Sequence, residues 1–113
     1  MNYTVEQIRN LVDTAKAKAY EAADAHENKY YPEGGWGACG FAWVNIWGIK
    51  GNTKLGRAMK AAGIEKDYSG AHSIWNPRKY PTQNVSTLEA GAQAAAKVFK
   101  DAGFTAYAGS RLD

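Results

Sequence analysis

Lys50, Asn52, Lys54, Arg57 and Lys60 surround Gly48-Ile49-Lys50-Gly51-Asn52-Thr53, a glycine-framed turn that opens a helix. Backbone N–H groups at such a turn face outward where the helix dipole is positive, which favours a phosphate. Two glycines also let a backbone approach closely. Trp43, Trp47, Trp75 and Tyr80 supply flat rings, and Arg78 and Lys79 add two cations beside Tyr80. Cations combined with stacking faces are what single-stranded nucleic-acid sites use. The turn is not a P-loop, because Gly-x-x-x-x-Gly-Lys-[Ser/Thr] is absent. It is not the loop of a KH module either, since that loop joins two helices and this one follows a strand. The plain alternative is that Lys54, Arg57 and Lys60, opposite an apolar stripe, are simply solvated.

Cys39 and His72 are the one thiol–imidazole combination with a nucleophile and a base. A catalytic thiolate needs a lowered pKa, often at a helix N-terminus. Cys39 instead falls inside a strand pattern, where a lone cysteine is usually a small core residue. His26 lies near the end of the first helix, in reach of its last carbonyls. Two histidines and one cysteine without ligand spacing make no metal site, and no cofactor is expected. Glu65 and Asp67 read as residues that solvate a turn. No catalytic residue is assigned.

The elements that must position these residues follow from periodicity. Thr4 with Gln7 forms a capping-box pattern, and Val5, Ile8, Val12, Ala15, Ala19, Ala22 and Ala23 recur at helical spacing to about Asn28. From Ala38 to Trp47 the residues alternate by size. Cys39, Phe41, Trp43, Asn45 and Trp47 share one face and Gly40, Ala42, Val44 and Ile46 the other. A helix capped by Asn52 or Thr53 runs to about Ala62, with Leu55, Ala58, Met59 and Ala62 inward and Gly63 at its end. Ala71 to Trp75 reads as a short strand, and 76–81 as a loop stiffened by two prolines. Ser86 with Glu89 predicts a second capping box and a helix to Gly103, and Phe104 to Ala108 the last strand. The expectation is one α+β domain over 1–113, with three helices and a three-stranded sheet in the order α-β-α-β-α-β. A small α/β arrangement with parallel strands is the alternative.

Composition bounds the rest. The 113 residues include 20 alanines and 14 aromatics but only 14 Leu, Ile and Val. Aromatics at this frequency exclude a disordered chain, and no apolar run approaches the length of a membrane span. No stretch has the make-up of a signal peptide, and a single cysteine fits a reducing compartment, so a cytoplasmic setting is expected. The net charge is +3. Residues 32–81 carry seven basic and three acidic side chains, more than the whole excess, and this asymmetry favours an anionic partner.

Ala38-Cys39-Gly40-Phe41-Ala42-Trp43-Val44, continuing through Gly48 to Ala58, resembles small proteins of tailed phages of marine bacteria, cyanophages in particular. Val85 to Gln93 and Ala106 to Asp113 carry the same resemblance, which spans most of the chain. It implies a viral protein made in the host cytoplasm, with no activity and no catalytic residues attached. Taken together, the sequence points to a non-enzymatic binding or interaction protein. Its anionic partner, nucleic acid first, meets Lys50, Asn52, Lys54, Arg57, Lys60, Arg78 and Lys79. A structural protein that self-associates through its aromatic sheet face is the alternative, and a small Cys39/His72 thiol enzyme the second.

Overall fold

A computed structural model describes residues 3–31, 37–67, 69–75 and 84–112. Trp36, Arg78, Lys79 and Tyr80 lie outside the described residues, as does the side chain of Trp75. The chain runs α1 (Val5–Tyr30), β1 (Gly40–Trp47), α2 (Lys54–Ala61), β2 (Glu65–Lys66), β3 (His72–Trp75), α3 (Val85–Asp101) and β4 (Thr105–Leu112). The strands form one antiparallel sheet in the order β2-β3-β1-β4.

The α+β class holds, but two parts of the expected architecture do not. Among the described residues the sheet has four strands and every pairing is antiparallel, which overturns the parallel alternative. The added strand, β2, is two exposed charged residues with no apolar alternation; only its pairing with β3 makes it a strand. The last strand also runs on to Leu112, with Gly109 inside it.

Close approach explains the small residues. α1 lies along α3, where a Cβ on Gly91 would stand 3.0 Å from the Ala19 carbonyl oxygen. α3 in turn rests on β1 and β4. Gly40, Ala42, Val44 and Ile46 of β1 are buried beneath it, while Phe41, Trp43 and Asn45 are half-buried on the opposite face. The size alternation read from Ala38–Trp47 is therefore the real division of the sheet. Ile8, Val12, Ala15, Ala42, Val44, Ile46, Met59, Leu88, Ala92, Phe99 and Ala106 join in one apolar cluster.

The helix ends follow their local chemistry unevenly. Thr4 and Gln7 form the reciprocal capping box at α1. Thr53, not Asn52, caps α2, its hydroxyl accepting from the Gly56 N–H. The Ser86–Glu89 box does not form, because α3 starts at Val85 after Asn84 and Ser86 is already inside the helix. Glu89 instead accepts from the Ser110 hydroxyl on β4. Gly63 and Gly103 take φ of 90° and 96° just past α2 and α3, the left-handed turn that stops a helix.

Candidate functional site: the basic helix and its cavity

The turn after β1 folds back onto α2. Thr53 N–H and hydroxyl both donate to the Lys50 carbonyl, and a Cβ on Gly56 would fall on that same oxygen. The close approach thus belongs to Gly56. Around Gly48 and Gly51 there is open space, and Gly48 serves by its φ of 82°.

Lys50, Asn52, Lys54, Arg57 and Lys60 are all exposed. On α2, Lys54, Arg57 and Lys60 spread over roughly 120° of the helix surface at 100° per residue, opposite the buried Ala58 and Met59. Among the described residues none of these cations joins an ion pair; the two pairs present are Lys18–Glu21 and Lys97–Asp101. One guanidinium nitrogen of Arg57 donates to the Asn52 carbonyl at 2.8 Å and braces the turn.

Lys60 faces a cavity that the sequence did not reveal. It has a volume of about 280 Å³ and is lined by Gly51, Gly56, Lys60, Ile64, Glu65, Lys66 and His72. The antiparallel register sets Lys66 opposite His72, and His72 opposite Ile46 on the helix-facing side of the sheet. The imidazole is 2% exposed and its Nδ1 has no hydrogen-bond partner among the described residues. Burial holds its pKa below the usual 6.5, Lys66 pushes it lower, and Asp67 opposes both. A neutral imidazole therefore stands beside two ammonium groups.

Asp67 anchors the hairpin that presents Lys66 and His72. Its Oδ1 accepts from the Ser69 N–H and hydroxyl and from the Ala71 N–H, and its Oδ2 from the Ser73 hydroxyl at 2.7 Å. The serine hydroxyls, chiefly that of Ser69, hold this carboxylate below its ordinary 3.8. The expected role of Asp67 as a mere solvator of a turn is corrected: it holds the turn together. Glu65 is likewise a strand residue rather than a turn residue.

The thiol pair does not form. Cys39 bridges Asn84 at one end of β1, while His72 pairs with Ile46 seven residues further along, roughly 23 Å away at strand rise. His26 is spoken for elsewhere. The Thr87 hydroxyl donates to the Glu27 carboxylate at 2.6 Å, so Nδ1–H of His26 donates to Thr87 Oγ1 at 3.0 Å. The Asn84 amide also donates to Glu27 and accepts from the Gly37 N–H. This cluster ties the end of α1 to the start of α3. It replaces the expected contact of His26 with its own helix end, and its signal in the sequence is dispersed over 26–27, 37 and 84–87.

Of the expected ring platform, Trp43 and Trp47 lie on the outer face of β1, Trp47 38% exposed. Trp43 sits over Gly109, where a Cβ would stand 2.5 Å from its indole nitrogen. Trp75 pairs with Trp43 in register. Tyr107, on the same face opposite Asn45 and 56% exposed, is a further ring, beyond the expected set. Lys100 and Arg111 lie over Tyr107 and Phe41 at 5.2 and 5.4 Å from the ring centroids. Among the described residues no group of acidic, histidine and cysteine side chains can hold a metal, and no helix is long and apolar enough to cross a membrane.

Compared with family models, with curated proteins and with solved structures, the chain matches none of them.

Proposed function

We propose that the protein is a binding module for an anionic polymer, single-stranded nucleic acid first, engaged by Lys50, Asn52, Lys54, Arg57 and Lys60. The observation that carries this reading is that those four cations are exposed around one braced turn and joined to no carboxylate among the described residues. A phosphate backbone supplies a row of charges to match them, and Trp47 at the end of β1 opens directly into the turn. On this reading the work is done in the cytoplasm, the host's if the phage resemblance holds.

Fluorescence anisotropy with a labelled oligonucleotide tests it. Four contacts to a single strand lower affinity roughly 50-fold between about 50 and 200 mM salt. Lys54→Gln should reduce the logarithmic salt slope by about 0.7 for every sequence tried. Binding insensitive to salt overturns the reading.

A second reading rests on β4. It is an eight-residue edge strand carrying the exposed Tyr107 and Leu112, and such an edge is a template for a second copy. Sedimentation at high concentration decides it, a strict monomer counting against.

A further inference from the structure

We propose that the cavity between α2 and the β2–β3 hairpin binds a phosphate monoester, with Lys60 and Lys66 taking the charge and His72 the ligand's inner oxygen. The cavity deepens the reading of α2 as an anion-binding surface and rests on it through Lys60 alone. Three independent features meet there. Lys60 and Lys66 arrive from different elements, one from α2 and one from β2, at the same opening. Glu65 is the one acidic residue among those lining it, so the cavity keeps a positive excess. His72, buried in the wall, carries a ring nitrogen with no partner among the described residues.

That orphan nitrogen distinguishes this cavity from an ordinary cluster of surface lysines. A buried polar atom in a folded protein nearly always has a partner, and an exception asks for an unseen one. A neutral imidazole has one N–H and one lone pair. A phosphate monoester, with a second pKa of about 6, offers acceptor oxygens in both its forms and an O–H in its monoanion. It therefore satisfies either tautomer, whereas a carboxylate only accepts. Two ammonium groups reject a metal cation, although a lone imidazole lone pair would otherwise attract one. Size limits the ligand too. About 280 Å³ lies at the small end of ligand clefts, which run from roughly 300 Å³ upward, so it suits a phosphate with at most one attached nucleoside or sugar.

A phosphate monoester can come from a free mononucleotide or from the 5′ end of a strand. The test follows the ring nitrogens of the full ¹⁵N-labelled chain by NMR, with His26 as internal control. Inorganic phosphate should move the His72 signals saturably and leave those of His26 in place, while potassium chloride of equal ionic strength moves neither. Lys66→Gln and Lys60→Gln, both at exposed positions, should each weaken this binding about ten-fold, as loss of a charge-assisted hydrogen bond does. A 5′-mononucleotide that displaces phosphate assigns the cavity to a free ligand. A 5′-phosphorylated oligonucleotide that does so, when its 5′-hydroxyl twin does not, assigns it to strand ends. His72 signals that stay fixed with all three probes, or move in step with His26, overturn the proposal. Salt-dependent binding of the 5′-hydroxyl oligonucleotide alongside fixed His72 signals leaves the basic-helix reading standing and removes the cavity. Loss of that binding alongside a saturable His72 shift does the reverse.

Discussion

The chain has two histidines, and they occupy opposite ends of β1 in opposite condition. His26 ends a closed relay: its Nδ1–H meets Thr87, Thr87 meets Glu27, and Glu27 also receives Asn84. Thr87 is fully buried, with His26 and Glu27 half-buried around it, and the polar centre is satisfied. His72 is buried more deeply than His26, yet its Nδ1 has no partner among the described residues, and the residue lines an open cavity with two lysines. A satisfied buried network stabilises and specifies a fold, whereas an unsatisfied buried nitrogen detracts from stability. The comparison therefore assigns the first histidine to architecture and makes the second the one to examine for ligand binding.

Thr87→Val should break the closed end with the largest effect. The substitution keeps the volume but removes the hydroxyl, leaving the His26 N–H unpaired and the Glu27 carboxylate short of its closest donor. An expected cost of about 1–2 kcal/mol follows from losing two hydrogen bonds whose other partners are half-buried. It should be read as a lower urea midpoint with an unchanged m-value. A midpoint equal to that of the parent would mean the relay is not structural.

His72 should respond in the opposite sense. His72→Met removes no side-chain hydrogen bond to any described residue and replaces a buried polar ring by an apolar chain, so near neutral pH its cost should stay below about 1 kcal/mol. The pH dependence sharpens the contrast. With a folded pKa below 6.5, the imidazole takes its proton in the unfolded chain first. Above 6.5 the group contributes no pH dependence. As pH falls from 6.5 toward the folded value, stability declines with a slope of at most about 1.4 kcal/mol per pH unit. Below the folded value the slope vanishes again. Denaturation series from pH 7.5 to about pH 4.5 should show this limb in the parent and lose it in His72→Met. A limb that persists in the variant belongs to another group.

What was legible in the sequence divides along the same line. Local periodicity dictated α1, α2, the two faces of β1 and the capping box of Thr4 and Gln7, because each depends on residues within a few positions. The 20 alanines and 14 aromatics do not say which elements meet, and the close contact of Gly91 with Ala19 joins α3 to α1 rather than a helix to the sheet. β2 was not legible, since Glu65 and Lys66 become a strand only by pairing with His72 and Ser73. The cavity depends on that pairing, and nothing local in the sequence links Lys66 to His72 or either of them to Lys60. The Glu27–Thr87–Asn84 cluster spans nearly 60 positions and has no local periodicity to betray it. The failed capping box at Ser86 is a case of tertiary override: Asn84 is committed to Gly37, Cys39 and Glu27, which sets where α3 begins.

The smallest expected effect concerns the hairpin that holds His72 and Lys66 in place. Ser73 Oγ lies 2.7 Å from both Asn45 Oδ1 and Asp67 Oδ2, and its one proton cannot serve two acceptors. Oxygen and nitrogen of an amide are interchangeable on geometry, so the Asn45 side chain turned to present its NH₂ lets Ser73 accept from Asn45 and donate to Asp67. In that arrangement Ser73→Ala removes one of the hydroxyl donors that depress the Asp67 carboxyl and should raise its folded pKa toward 3.8. The sign follows from linkage: a depressed carboxyl contributes stability above its unfolded pKa and loses it as pH falls through the folded one. The variant should therefore keep the limb below 6.5 that belongs to His72, while its acid limb below 3.8 becomes shallower and begins to close at higher pH. Carboxyl ¹³C titration of Asp67 reads the shift directly. An unchanged Asp67 titration would place the Ser73 proton on Asn45, leaving Ser69 and the Ala71 N–H to hold the carboxylate alone.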